Sequence, residues 1–226
     1  KNLPVFSLLF LTACIENAPM DSLSPAGPYE RQIDDLFWLT LWIAVGVFFI
    51  VKGALIFSVF YFRDMPGKPE PKQIHGNNVL ELMWTIIPIL ILAAIAVPTV
   101  RTILDLAIEP EGAVKIEVIG HQWGFEYKYP DYGITTANVL VIPADRPVRL
   151  EMWSNDVLHN YWVPKLNGKR YLVPGQTTYL NLHADSPNEF WAQCGVYCGL
   201  SHSKMRGRVL SLSLIHISEP TRLLSI

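Results

Sequence analysis

The chain has 226 residues, half of them hydrophobic and only 17% charged, with a net charge of −2 and three cysteines. An ordinary soluble domain carries about 25% charged residues, so this composition excludes a disordered chain, a basic nucleic-acid arm and a wholly soluble globule. Three cysteines are too few for a disulfide scaffold, and their positions carry more than their number.

Residues 1–14, KNLPVFSLLFLTAC, set one positive charge before a short apolar run that closes on small residues. That is the form of an export signal, too short to span a bilayer. The closing Leu11-Thr12-Ala13-Cys14 is similar to a bacterial lipobox, which would make Cys14 a lipidated mature N-terminus. Residues 15–35 are polar, contain Pro19, Pro25, Gly27 and Pro28, and read as a linker.

Residues 36–62 are almost unbroken apolar sequence. As a helix they reach about 40 Å, enough to cross a bilayer with tilt. Trp38, Trp42, Tyr61 and Phe62 sit near the ends, where aromatic rings favour the membrane interface. Lys52 is the single charge inside, about three turns before Arg63 and too deep for easy snorkelling. A charge at that depth faces a protein partner or a cavity, and pairing with a neighbouring subunit is preferred to a transport role. The second apolar run, residues 82–100, contains Pro88 and Pro98 and follows Glu81. Prolines are tolerated in membrane helices where neighbours re-satisfy the backbone. The two runs predict a transmembrane hairpin over 36–104. The short loop between them carries Arg63, Lys68 and Lys72 and should face the cytoplasm.

From residue 113 the period changes to two. Val114, Ile116 and Val118 alternate with Lys115 and Glu117, and Val148, Leu150 and Met152 with Arg149 and Glu151. Residues 139–142, 177–182 and 206–209 are further strand candidates. Short strands at this spacing predict an antiparallel sandwich or barrel over 113–209, outside the membrane. The tail, residues 211–226, has no clear period. It resembles translated adapter or vector sequence and is set aside as artefactual.

The chemistry lies in Cys194-Gly195-Val196-Tyr197-Cys198-Gly199-Leu200-Ser201-His202-Ser203-Lys204-Met205, with His159 upstream. Thiolate and thioether are soft ligands that select copper. Two cysteines four apart can bridge two copper ions, each completed by one histidine. Such a site passes electrons and leaves no open position for substrate. A Cys194–Cys198 disulfide would leave His202 and Met205 unexplained. Zinc would need only the cysteines and histidines.

Hairpin, sandwich and loop together resemble subunit II of the haem-copper oxidases, bacterial cytochrome c oxidases with a dinuclear CuA centre on a cupredoxin-like Greek-key sandwich. The resemblance covers roughly residues 23–209. It rests on Glu81-Leu82-Met83-Trp84-Thr85-Ile86-Ile87-Pro88, on Gly120-His121-Gln122-Trp123, on Asp156 to His159, on Val163-Pro164, Lys169 and Pro174-Gly175, and on the copper loop. It implies CuA ligation by His159, Cys194, Cys198, His202 and Met205 and by the backbone carbonyl of Val196. The family commonly has a glutamate at the Val196 position that helps bind magnesium, and valine offers no carboxylate. Trp123 would be where electrons arrive from cytochrome c, and Glu81 would open a proton path into subunit I. The implied partners are the haem-containing subunit I and other oxidase subunits, cytochrome c or a similar donor, and the lipid bilayer. The implied location is the bacterial plasma membrane. The implied activity is that of a cytochrome c oxidase, with oxygen reduced and protons translocated in subunit I. Two alternatives stand beside it. One is the related quinol-oxidase subunit II, which keeps the fold but lacks the copper ligands. The other is a membrane-anchored copper-binding or copper-delivery module. No Cys-x-x-Cys-His lies in this stretch, so no haem c attachment is read within it.

Overall fold

Two helices come first. α1 spans Pro28–Tyr61 and α2 spans Asn78–Ala107 in this computed structural model, which describes residues 18–67, 73 and 75–213. Cys14 and most of the tail lie outside the described residues. Both helices run beyond the apolar sequence that predicts them. α1 begins at Pro28, inside the expected linker, because a proline suits the first helical turn. α2 begins at Asn78, where the Asn77 side-chain oxygen accepts from the amides of Val79 and Leu80 at 3.1 and 3.2 Å. Hydroxyls within the apolar stretches bond back to the preceding turn. Thr40 donates to the Leu36 carbonyl and Ser58 to that of Ala54, both at 2.8 Å. Pro88 and Pro98 lie inside α2, as the sequence requires. Both helices are long and apolar enough to cross a membrane.

Residues 35–105 form one unit, and residues 18–34 with 106–213 form a second. The second holds ten strands: β1 (Val114–His121), β2 (Gly124–Tyr129), β3 (Ile134–Ala137), β4 (Val139–Pro143), β5 (Val148–Ser154), β6 (His159–Val163), β7 (Asn167–Leu172), β8 (Thr178–Leu182), β9 (Asn188–Cys194) and β10 (Arg206–Leu212). They make two five-stranded sheets, ordered β3-β2-β1-β5-β8 and β4-β10-β9-β6-β7. This is the predicted cupredoxin-like Greek-key sandwich, with one correction. The sheets are mixed, because β1 runs parallel to β5 and β4 runs parallel to β10. Alternation along each strand reports which face is buried and says nothing of a neighbour's direction.

Ile116, Val118, Leu140, Leu150, Met152 and Val209 are almost fully buried between the sheets. Tyr127 and Tyr161 are buried with them. Their hydroxyls share a hydrogen bond at 3.2 Å, which gives each buried polar tip a partner. A second correction concerns the end of the domain. Ser211 and Leu212 belong to β10, pairing with Ile142 and Pro143 of β4, and Ser211 is buried. The domain therefore continues past the expected limit at residue 209.

Candidate metal centre

The functional residues are set by strand ends. His159 is the first residue of β6, and Cys194 is the last of β9. The two strands are hydrogen-bonded neighbours, with Tyr161 opposite Cys194. The chain then leaves the sheet for eleven residues, makes a 3-10 turn over His202–Lys204, and re-enters as β10 at Arg206. Several backbone bonds shape this loop, three of them between its own residues in succession. The Cys194 amide donates to the Met205 carbonyl at 3.1 Å, the Met205 amide to His202 at 3.1 Å, and the His202 amide to Gly199 at 3.1 Å. Gly199 has φ +121°, a backbone conformation that favours glycine, and a Cβ there would also crowd the Gln122 side-chain amide nitrogen at 2.9 Å.

The loop brings the predicted soft ligands together. Cys194 Sγ and Cys198 Sγ lie 3.7 Å apart. A disulfide needs about 2.05 Å, so both are free thiols, as buried as the core around them. From Cys198 Sγ, Met205 Sδ is 3.7 Å away and His202 Nδ1 is 3.7 Å away. The Val196 carbonyl lies 3.2 Å from Cys194 Sγ, so this residue presents its backbone oxygen to the cluster. A ring nitrogen of His159 lies within 4.8 Å of both sulfurs. His159, Cys194 and Cys198 therefore cluster together, with His202 and Met205 reaching the cluster at Cys198 and the Val196 carbonyl at Cys194. Trp123 and Glu81 do not join them as ligands.

The protonation pattern fits a metal as well. His159 Nε2 is 2.7 Å from Asp156 Oδ1, while its Nδ1 is buried with no hydrogen-bond partner among the described residues. A carboxylate on one imidazole nitrogen and an orphaned second nitrogen is the arrangement of a metal-ligating histidine. Gly120 on β1 makes room for the ring, since a Cβ there would lie 2.8 Å from His159 Cδ2. Burial opposes the charge on Asp156. Hydrogen bonds from His159 and from the amides of Val157 and Gln122 outweigh it and hold the carboxyl down to about 2. Burial, then the bond and charge of Cys194 and the charge of Asp156, push the Cys198 thiol up to about 12. The Cys198 thiol thus stays protonated until a cation displaces the proton.

Trp123 stands beside the cluster. The residue is 38% exposed, and its Nε1 donates to the Cys198 carbonyl at 3.2 Å. The Gln122 side chain donates to the same carbonyl at 2.8 Å. His121 Nε2 lies 3.4 Å from a Glu126 carboxylate oxygen. Glu81 is exposed in the first turn of α2. Asp156 and Gln122 are the residues to which the sequence reading gave no role of their own. The signal for Asp156 was its position three residues before His159.

The chain is similar to known proteins over most of its length. The sequence model of the family "Cytochrome C oxidase subunit II, transmembrane domain" matches residues 20–102, and that of its periplasmic domain matches residues 133–211. The chain is 37% identical over 214 residues to cytochrome c oxidase subunit 2 of Alkalihalophilus pseudofirmus, covering 92% of this chain and 63% of the relative. It is 30% identical over 217 residues to quinol oxidase subunit 2 of Bacillus cereus, covering 92% of this chain and 73% of the relative. The chain thus spans less than two thirds of the first of these relatives. Among solved structures, it is similar to the periplasmic domain of subunit II of cytochrome oxidase of Bradyrhizobium japonicum, with 22% identity and a TM-score of 0.47 over 49% of this chain and 91% of that one.

Proposed function

The chain belongs to the cytochrome c oxidase subunit II family, and on that footing we propose that it is the subunit through which electrons enter a membrane-bound haem-copper oxidase, with a cytochrome c as donor. The observation that carries this reading is the cluster of two free thiols, a thioether and two imidazoles within one loop and one neighbouring strand end. Two cysteines and two histidines alone would satisfy zinc, but the Met205 thioether has no role in a structural zinc site and is a soft ligand of the kind that selects copper. A copper pair bound there, the CuA type of centre, stores and releases one electron at a time.

The chain's own residues prepare that chemistry. Asp156 fixes the tautomer and orientation of His159 through Nε2 and leaves Nδ1 to ligate. Burial of Cys194, Cys198 and Met205 keeps water from the sulfurs. Trp123 presents an exposed aromatic face one hydrogen bond from the Cys198 carbonyl, and we assign the donor contact to it. Val196 supplies a carbonyl to the cluster and no carboxylate to a magnesium ion. Glu81, exposed where α2 starts, is assigned to proton uptake on the cytoplasmic side, with the β unit on the outer side of the membrane. Subunit I, where oxygen is reduced, is the partner this reading requires.

Relatives of both donor classes match the chain, so the competing reading is a quinol oxidase subunit. The intact ligand cluster favours the cytochrome c reading. The experiment is turnover of the purified oxidase with reduced cytochrome c and with a quinol, in wild type and Cys198→Ser. Cytochrome c oxidation that is lost with Cys198→Ser, alongside the mixed-valence resonance of a delocalised copper pair, is the expected result. Quinol oxidation unaffected by Cys198→Ser would overturn it, and copper binding without any haem-bearing partner would point to delivery.

A further inference from the structure

Lys52 is the feature of the hairpin that electron transfer does not use. It lies on α1 between Val51 and Gly53, ten residues before Phe62, where the apolar run ends. At 1.5 Å per residue that is about 15 Å of helix, and the hydrocarbon core is about 30 Å thick, so Lys52 sits near the midplane. Its ammonium lies 5.8 Å from the centre of the Phe48 ring one turn earlier. Among the described residues it makes no ion pair.

The hairpin does not bring an acid to this level. Lys52 opens on a groove of about 420 Å³ between the two helices, lined by Thr40, Ala44, Phe48 and Val51 of α1 and by Ile95 of α2. Apart from Lys52, the only polar side chain in that lining is Thr40, and its hydroxyl already bonds Leu36. The nearest acids of α2, Asp105 and Glu81, lie ten and fourteen residues from Ile95. That places them about 15 and 21 Å away along the axis. A lipid phosphate stands at the headgroup level, farther than a lysine stem can carry its charge from the midplane. An ammonium at this depth is retained when it meets an opposite charge inside the membrane. The complementary group must therefore come from another chain and must be carried at the same depth.

We propose that the Lys52 face of α1 docks against an apolar span of another subunit that presents an aspartate or glutamate carboxylate at the bilayer midplane. The apolar groove receives side chains of that span, and the Lys52–carboxylate pair sets its register along α1. Charge complementarity makes the contact specific, since an uncharged span would leave the ammonium unpaired. This inference rests on the reading that the chain works within a membrane assembly, and it is independent of the copper.

The test uses the whole assembly, solubilised in mild detergent and captured through a tag on this chain. Recovery of the haem-bearing partner and copper per captured chain are measured together for wild type, Lys52→Met and Lys52→Arg. Lys52→Met is expected to lower partner recovery at least tenfold with copper per chain unchanged, and Lys52→Arg to keep it within about twofold. A photo-reactive phenylalanine in place of Phe48 is expected to cross-link to a peptide from an apolar span containing Asp or Glu. Equal recovery with Lys52→Met, adducts to lipid alone, or a cross-linked span without an acid would each overturn the proposal. If recovery depends on Lys52 while the copper signature is missing, the electron-transfer reading fails and this one stands.

Discussion

The hairpin and the β unit place the same kinds of side chain in opposite surroundings. In the hairpin, Phe49, Ile50 and Phe60 are 68%, 73% and 72% exposed, whereas Leu140, Leu150 and Tyr161 of the β unit are fully buried. The β unit therefore makes its own interior and can hold a site to within a fraction of an ångström. The hairpin supplies apolar surface that is satisfied only by lipid or by a neighbouring span. The two regions should respond differently to the same truncation, and that difference can be tested.

The largest expected effect is at the metal centre. Cys198→Ser should leave the sandwich folded, because the residue lies in a loop and the sheets close without it. It should abolish the two-copper optical and magnetic signature completely, as read by metal analysis and resonance spectroscopy of the purified protein. Retention of two coppers per chain would show that the thiols at 194 and 198 are not bridging ligands.

Next comes the contrast itself. Leu140→Ala removes a fully buried side chain and should cost about 3 kcal/mol of domain stability by the usual cost of core truncation. Phe60→Ala in the hairpin should leave the denaturation midpoint of the β unit unchanged. Equal losses at the two positions would mean that the hairpin shares the β unit's cooperative interior.

A smaller effect is expected one step out from the ligands. Asp156→Asn keeps the size of the side chain but weakens its hold on the His159 imidazole. By analogy with other partners of ligating histidines, copper affinity should fall roughly 10- to 100-fold, measured by competition with a chelator of known affinity. An unchanged affinity would mean that His159 is oriented by packing against Gly120 alone.

The smallest effect belongs to the surface pair of Arg31 and Asp185, which joins the start of α1 to the loop after β8. The hydrogen bond from Arg31 holds the Asp185 carboxyl below its ordinary value. Its contribution is therefore fully present above the unfolded carboxyl range, near pH 4, and is lost as pH falls through the lowered folded value. Both side chains are more than 40% exposed, so Asp185→Asn should cost less than about 1 kcal/mol. The loss should shrink in high salt, as read from denaturation midpoints at two ionic strengths. A cost insensitive to salt would point to packing in place of charge.

Legibility in the sequence followed the same divide. The hairpin was readable because a membrane span needs only an uninterrupted apolar run. Its helix ends were not, since Pro28 and Asn77 act through capping geometry outside that run. In the β unit, β1 and β5 alternate cleanly and were readable. β6 and β7 were not, because Asn160 and Asn167 are buried at positions that look polar and exposed. The parallel pairings and the last two residues of β10 depend on partners distant in the chain. The residues that the loop gathers were legible as soft-ligand types at fixed spacing, which the loop makes local. The roles of Asp156 and Gln122 were not, because Gln122 meets Asp156 and Cys198 only across turns of the folded sandwich.

The rung between the Cys194 amide and the Met205 carbonyl has a kinetic consequence. It continues the β9–β10 ladder to the base of the ligand loop, so the sheet has already closed the loop before any cation arrives. The entropy of bringing the ends of a loop together falls on folding and is absent from metal binding. Metal release that keeps the fold needs only local motion of the loop, whereas release by unfolding must first unzip Arg206 from Gln193. A cation bound there would in turn add its binding free energy to the ladder. The β9–β10 hairpin should therefore be the last part of the loaded domain to exchange its amide hydrogens.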